Sequence, residues 1–264
     1  EARRNIISAG AIPLAITNNL NFGNPEDENI MGQFVMSIKG MINACKKYAL
    51  PVISGNVSLY NETKKVGISP TPVIGMVGLI KNTNSIIKKY LLKENDKIYL
   101  IGKKTNNISC SSFLERIILK NNTNLGPPPP INYNEEIKNG NLVLNLFKNK
   151  LIKSCNDVSS GGIIISLLKM LINKEFGAEI EESFINESIN DQNFYKTLFG
   201  ENAGNYIVIT NNDKKVKELA KKNKVSISKI GVTKRNYLNV NNQIIKLNDL
   251  KNNFENNFLN YINN

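Results

Sequence analysis

The sequence predicts a mixed α/β (α+β) protein of two domains. Strand-like runs alternate with segments of helical periodicity along most of the chain. Several of those runs, "TPVIGMVGLI" (71–80) above all, are apolar on both faces and punctuated by glycine, as fully buried strands are. Residues 1–80 are comparatively rich in Gly, Pro and small side chains, and the texture changes near Lys81–Asp96, which marks a domain boundary.

The elements follow in order. The first dozen residues read as a helix ending at Gly10, then "PLAIT" (13–17) as a short strand and "NNLNFGNPEDEN" as a polar loop. Ile30, Met31, Phe34, Val35, Ile38, Met41, Ile42 and Cys45 recur at helical spacing, with Asn29 placed to cap that helix. Pro51–Ile53 reads as a short buried strand and Ser54-Gly55-Asn56 as a turn. Beyond the boundary, 97–102 is a strand and 113–119 and 135–147 are helices, joined by the polyproline connector "NLGPPPPIN". Residues 155–174 read as a loop feeding an apolar helix, and 205–233 as strand, Lys-rich helix, strand. The low-complexity end, 241–264, reads as a weakly ordered helix or tail.

Bulk properties narrow the chemistry. At 264 residues with 41% hydrophobic and 21% charged side chains, the chain can bury a proper core. No apolar run approaches the ~18 residues of a membrane span, so no membrane association is expected. The N-terminus has neither an initiator Met nor a signal-peptide core, and reads as cut from something longer. Cys45, Cys110 and Cys155 are odd in number and widely spaced, which suits a reducing cytoplasm and no disulfide framework. Histidine is absent, so chemistry falls to carboxylates, amides, hydroxyls and lysines. The net charge of +12 is scattered lysine with four arginines, unlike the clustered Arg and aromatics of nucleic-acid readers.

Four segments carry the candidate chemistry. In "SGNVS" (54–58), Gly55 admits a ligand close to the backbone, and Asn56 offers a neutral hard oxygen suited to Mg²⁺ already facing phosphate. Ser58 lies on the same side as Asn56 if the chain stays extended, placed to bond a substrate oxyanion. The plain alternative is a Gly-Asn turn with a polar exit. "TNNLNFGNP" (17–25) clusters amides that suit a polar ligand, or is an accident of an Asn-rich chain. "NDVSSGG" (156–162) precedes a helix and suits an anion at its N-terminus, with Ser159 or Ser160 alternatively a simple cap. "LFGENAGNY" (198–206) holds one loop carboxylate, Glu201, either functional or merely solvated.

Taken together, "EARRNIISAGAIPLAITNNLNFGNPEDENIMGQF", "PVISGNVSLYNET" and "PTPVIGMVGLI" closely resemble the synthetase-subunit family of formylglycinamide ribonucleotide amidotransferase (FGAM synthase), in its small bacterial and archaeal form. "GPPPPIN", "NDVSSGG" and "LFGENAGNY" follow in the family's order. The resemblance implies an AIR-synthetase-like ATP-binding module: a barrel-forming N-terminal half (1–80) and a C-terminal α/β half (81–240), with 241–264 as a tail. It implies the second of two tandem copies. It also implies a cytoplasmic purine-pathway ligase in which ATP phosphorylates the amide oxygen of formylglycinamide ribonucleotide. Ammonia from a glutaminase subunit then displaces phosphate.

Carried over by motif, Asn18 and Gly55 are ATP contacts, Asn56 a Mg²⁺ ligand and Ser58 a substrate contact. The implied cofactors are ATP and Mg²⁺. The implied partners are the N-terminal half of the synthetase, the glutaminase and a small bridging subunit. Three departures stand out: the family's "HDVSDGG" reads Asn156 to Gly162 without the His and second Asp, its "FGE…GR" ends in Asn205, and a glycine-rich segment reads Ser109-Cys110-Ser111. The family's catalytic histidine lies in the first copy, so no catalytic residue is expected in this chain. A degenerate scaffold is the alternative. Aminoimidazole ribonucleotide synthetase and selenophosphate synthetase, from the same superfamily, should lack "LNFGNP" and "SGNVSLYNET".

Overall fold

The structure, a computed structural model, describes residues 1–82, 92–105, 107–120, 124–185 and 191–262. Much of the boundary expected at 81–96 therefore lies outside the described residues. Two compact units emerge, one built from 2–7 and 11–81, the other from residue 1, 8–10 and 82–264.

In the first unit, α1 (Ala2–Ser8) leads into β1 (Ile12–Asn21), followed by α2 (Glu28–Tyr48) and β2 (Val52–Ser58). A small hairpin of β3 (Glu62–Thr63) and β4 (Val66–Gly67) precedes β5 (Thr71–Leu79). The sheet order is β2-β1-β5, with β1 parallel to β2 and antiparallel to β5. Parallel neighbours need a long crossover, and α2 supplies it.

Two expectations change here. The strand expected at 13–17 runs on to Asn21, and the turn expected at 54–56 is continuous strand to Ser58. Asparagine is a poor strand former, but β1 is paired on both sides, and the two ladders hold Asn18, Asn19 and Asn21 extended. The helix cap is Asp27 rather than Asn29. Its Oδ1 accepts from the N–H groups of Asn29 (2.8 Å) and Ile30 (3.3 Å), and its charge complements the helix dipole.

The strand at 51–53 is exposed rather than buried. Val52, Ile53 and Val57 are each at least half exposed, and no residue of the 21-residue α2 is buried. What core there is gathers Ile7, Ile16, Leu20 and Phe22, the last meeting Phe34 edge-on at 5.1 Å.

The second unit has a conventional core. It contains β6 (Lys97–Ile101), a π-helical turn (Leu114–Ile118), α3 (Tyr133–Lys148), β7 (Ser154–Asp157), α4 (Gly162–Leu171) and β8 (Phe176–Ile180). Then follow α5 (Glu182–Ile185), α6 (Asp191–Phe199), β9 (Tyr206–Thr210), α7 (Asp213–Lys222), β10 (Ile227–Arg235), β11 (Tyr237–Val240), β12 (Gln243–Lys246) and α8 (Leu247–Ile262). The sheet order is β12-β11-β8-β10-β6-β9-β7. Ile98, Leu100, Ile207, Ile209 and Ile230 pack with Ile163, Leu167 and Leu171 of α4 on one face. By strand alternation Tyr99 points the other way, where its hydroxyl donates to Asp213 at the start of α7. Burial, then that contact, pushes the Tyr99 phenol up to about 12.

The end of the chain is more structured than a tail. β12 pairs with β11 and Leu247 is buried, so the sheet continues past 240. The four-residue strands β7 and β11 carry too few residues for periodicity to reveal them.

The β3–β4 hairpin turns on Lys64 (φ 51°) and Lys65 (φ 63°). A two-residue turn with both φ positive favours Asn-Gly, and lysine is strained there. Replacing the pair by Asn-Gly is expected to stabilise the first unit by about 1 kcal/mol, read as a higher urea midpoint at unchanged m.

Candidate functional site

The sequence candidates of the first unit converge on β1 and β2. Their register pairs Thr17 with Ser54, Asn18 with Gly55, Asn19 with Asn56, Leu20 with Val57 and Asn21 with Ser58. Side chains alternate faces, so Thr17, Asn19, Asn21, Ser54, Asn56 and Ser58 share one face as a polar ladder. Thr17 Oγ1 and Ser54 Oγ lie 2.8 Å apart, and Asn56 Nδ2 donates to Asn19 Oδ1 at 3.2 Å. Asn18 and Gly55 lie together on the opposite face. The Asn18 amide lies against Gly55, where an added Cβ would sit 1.9 Å from Asn18 Oδ1. Glycine at 55 thus has a structural cause independent of any ligand.

The four residues singled out therefore divide as Asn18 with Gly55 and Asn56 with Ser58. They are one residue apart across an edge strand, since β2 ends the sheet among the described residues. Asn61 is a residue the sequence reading missed. Its Nδ2 donates to Phe22 O (2.9 Å) and Ser58 O (3.0 Å), and its Oδ1 accepts from Ser58 Oγ (3.1 Å). The remaining amides of the cluster hold the chain: Asn24 Oδ1 accepts from Glu26 N, and Asn21 Nδ2 donates to Thr71 O.

Neutral oxygens set the limits on a cation. Among the described residues no three His, Cys, Asp or Glu side chains gather as a metal group. Asn56 Oδ1, a single neutral oxygen, suits Mg²⁺ that arrives already bound to phosphate rather than a bare ion.

The second unit gathers its own candidates around Glu201. One carboxylate oxygen, Oε1, accepts from Ser112 N and Gly161 N, both at 2.8 Å. Half-buried Glu201 is thus more than a solvated loop carboxylate: through Oε1 it clasps two loops. Gly161 (φ 86°) is the cap of α4 and no side chain caps it, so neither Ser159 nor Ser160 plays that part. The carboxylate stands near the helix N-terminus, where an external anion was expected.

Asn205 is buried. It donates from Nδ2 to Lys103 O at 2.8 Å and leaves no room for a Cβ at Gly102. Cys110 holds φ 54°, a backbone state glycine adopts freely, and its Sγ lies 3.0 Å from Gly126 O. Burial and the nearby Asp157 raise the Cys155 thiol far above the ordinary range, so that thiol stays protonated.

The comparisons with known proteins agree with this architecture. Residues 93–240 match AIR synthase related protein, C-terminal domain, and residues 1–80 match AIR synthase related protein, N-terminal domain. The chain belongs to the AIR synthase related family. Within it, the chain is 40% identical over its whole length to "Phosphoribosylformylglycinamidine synthase subunit PurL" of Pelagibacter ubique, and 36% identical to that of Bartonella quintana. It spans about a third of the length of these curated relatives, 36% and 35%. Among solved structures, T. maritima PurL complexed with FGAR superposes with a TM-score of 0.70 at 15% identity, covering 94% of this chain and 41% of that one. E. coli HypE, a hydrogenase maturation protein, gives 0.67 at 14% identity, covering 93% and 76%. These likenesses establish the fold.

Two outcomes follow from the geometry. Gly55→Ala drives a methyl into the Asn18 amide and is expected to cost about 1–3 kcal/mol of stability, measured by urea unfolding. Asn18→Ala in the same chain is expected to relieve only part of it, because the Asn18 backbone carbonyl still lies 2.9 Å from the new Cβ. Glu201→Ala strips the acceptor from two backbone N–H groups and is expected to cost about 2–3 kcal/mol, with faster amide exchange at Ser112 and Gly161.

Proposed function

We propose that this chain supplies the second-module part of the site of an ATP-dependent ligase. The reaction converts formylglycinamide ribonucleotide and ammonia, drawn from glutamine, to formylglycinamidine ribonucleotide with ADP and phosphate. The observation that carries this reading is the β1–β2 pairing, which sets Asn18 against Gly55 on one face of the two strands and Asn56 with Ser58 on the other. Relatives named PurL along the whole chain support it.

In this reading residues 1–80 are the barrel-forming half and 81–240 the α/β half. Asn18 and the backbone at Gly55 take the nucleotide, Asn56 Oδ1 faces Mg²⁺ and Ser58 takes the substrate. Bound Mg·ATP supplies the phosphoryl group and neutralises charge. The chain's own part is positioning, for which amides, a hydroxyl and an open glycine backbone suffice. No catalytic base is needed from this chain in this reading.

The first unit's exposed surface supports a missing counterpart. Val52, Ile53, Val57, Val73 and Val77 each expose half or more of their surface. Apolar exposure on that scale marks an interface. The N-terminal half of the synthetase is the cover in this reading, with the glutaminase and the small bridging subunit as further partners in the cytoplasm. The second reading, a degenerate scaffold, is favoured by one set of observations. Glu201 and Asn205 are spent on internal bonds, and a cysteine sits in a glycine conformation at 110.

The test is ammonia-dependent ADP release from ATP, Mg²⁺ and formylglycinamide ribonucleotide. Activity is expected only when the chain is mixed with the matching N-terminal half. Asn56→Ala is expected to lower it at least tenfold at limiting Mg²⁺, with partial recovery at high Mg²⁺. An assembled mixture without activity would replace the ligase reading by the scaffold.

A further inference from the structure

We infer that Asn61 is a positioning residue that commits the Ser58 hydroxyl proton, so that Ser58 meets its ligand as a hydrogen-bond acceptor and selects an N–H or O–H group over a phosphate or carboxylate oxygen. The polarity follows from a count of donors and acceptors. Asn61 Nδ2 carries two hydrogens, and its two partners, Phe22 O and Ser58 O at 2.9 and 3.0 Å, are backbone carbonyls that only accept. Flipping the amide would set Oδ1 against both carbonyl oxygens and lose both bonds. The side chain is therefore fixed with Oδ1 toward Ser58 Oγ at 3.1 Å, and an amide oxygen can only accept.

Ser58 has one proton, and it goes to Asn61. What the hydroxyl has left for a ligand is lone pairs. The backbone around it is equally determined. Phe22 N donates to Ser58 O, Asn61 N to Phe22 O, and Tyr60 N to Gly23 O, so the exits of β1 and β2 are stitched together and Asn61 cannot swing away cheaply. A ligand oxyanion would have to take the proton from Asn61 and strand its Oδ1. That loss is on the order of five- to tenfold in affinity. A hydroxyl or amide N–H incurs no such loss.

This inference rests on the substrate role proposed for Ser58. Applied to a glycinamide ribonucleotide, it assigns Ser58 to a ribose hydroxyl or an amide N–H and places the 5′-phosphate elsewhere. The oxyanion expected from the sequence alone becomes the disfavoured partner.

Two arms test it. In the ligand-free full chain, ¹⁵N NMR follows exchange of the two Asn61 side-chain amide hydrogens. Ser58→Ala is expected to leave both protected within about twofold, because carbonyls hold them. An increase of tenfold or more at one hydrogen would mean that Asn61 donates to the hydroxyl, and would overturn the polarity.

In the chain assembled with the matching N-terminal half, Ser58→Ala is expected to weaken formylglycinamide ribonucleotide about tenfold. The same factor is expected for the dephosphorylated nucleoside, and no weakening for an analogue whose contacting O–H or N–H is methylated. A Ser58→Ala penalty that vanishes with the phosphate would overturn the inference. Absence of ribonucleotide binding to the unmodified assembly would overturn the ligase reading instead, and the exchange arm alone would then decide the role of Asn61.

Discussion

The parallel register of β1 on β2 is the constraint on which the first unit's chemistry depends. Side chains alternate with period two, so a slip of one residue would move every ladder member to the other face. The alignment begins at an irregularity: Ile16 pairs with Val52 but Thr17 with Ser54, leaving Ile53 as the extra residue. From there three fits hold it. Thr17 bonds Ser54, the Asn18 amide occupies the space that a side chain at 55 would take, and Asn19 bonds Asn56. An apolar strand finds its register through a core. This one, exposed on both faces along most of its length, finds it through polar pairs and one absent Cβ.

The second unit solves its loops differently. Residues 109–112 and 159–162 come from distant parts of the chain, and Glu201 binds a backbone N–H from each. A charged acceptor shared by two loops is stronger than a neutral one and costs no bound ligand. Asn205 does the same for the turn after β6, accepting from Val158 N through its carbonyl while its amide holds Lys103 O. Positions 201 and 205 are therefore explained as parts of the fold. Whatever else the segment does, these groups are already engaged.

Element type was legible wherever a segment was long and periodic. The Lys-rich helix expected over 213–222 is α7, and the apolar helix after 161 is α4. What failed was local reading of asparagine and glycine. "TNNLN" looked like loop because asparagine disfavours strands, yet two neighbouring ladders override that preference. "SGN" looked like a turn because Gly-Asn often is one, yet Gly55 is there to fit under Asn18. Asn56 and Ser58 share a face because the chain stays extended to Ser58, the condition on which the sequence placed them together, whereas Asn61 stayed hidden. Its role comes from Phe22, which lies 39 residues away in sequence.

The burial pattern divides the molecule as sharply as the topology does. In the second unit every residue of β9 is buried and α4 hides most of its apolar stripe. In the first, α2 buries none of its residues while Met31, Val35, Met36 and Ile42 face solvent. The edge strand β2 adds Val52, Ile53 and Val57, and an exposed apolar edge is an open invitation to mispairing. Local propensity is not the weak point here, because Asp27 and Ala49 cap α2 at both ends and its crossover is sound. The deficit lies in tertiary burial, the term that supplies most of a helix's stability in a folded protein. A polar ladder keeps β2 in register without that burial, but it cannot hide the apolar side chains beside it. Specificity and stability are thus separated in this unit, the first held by amides within the chain and the second left to whatever covers its apolar faces.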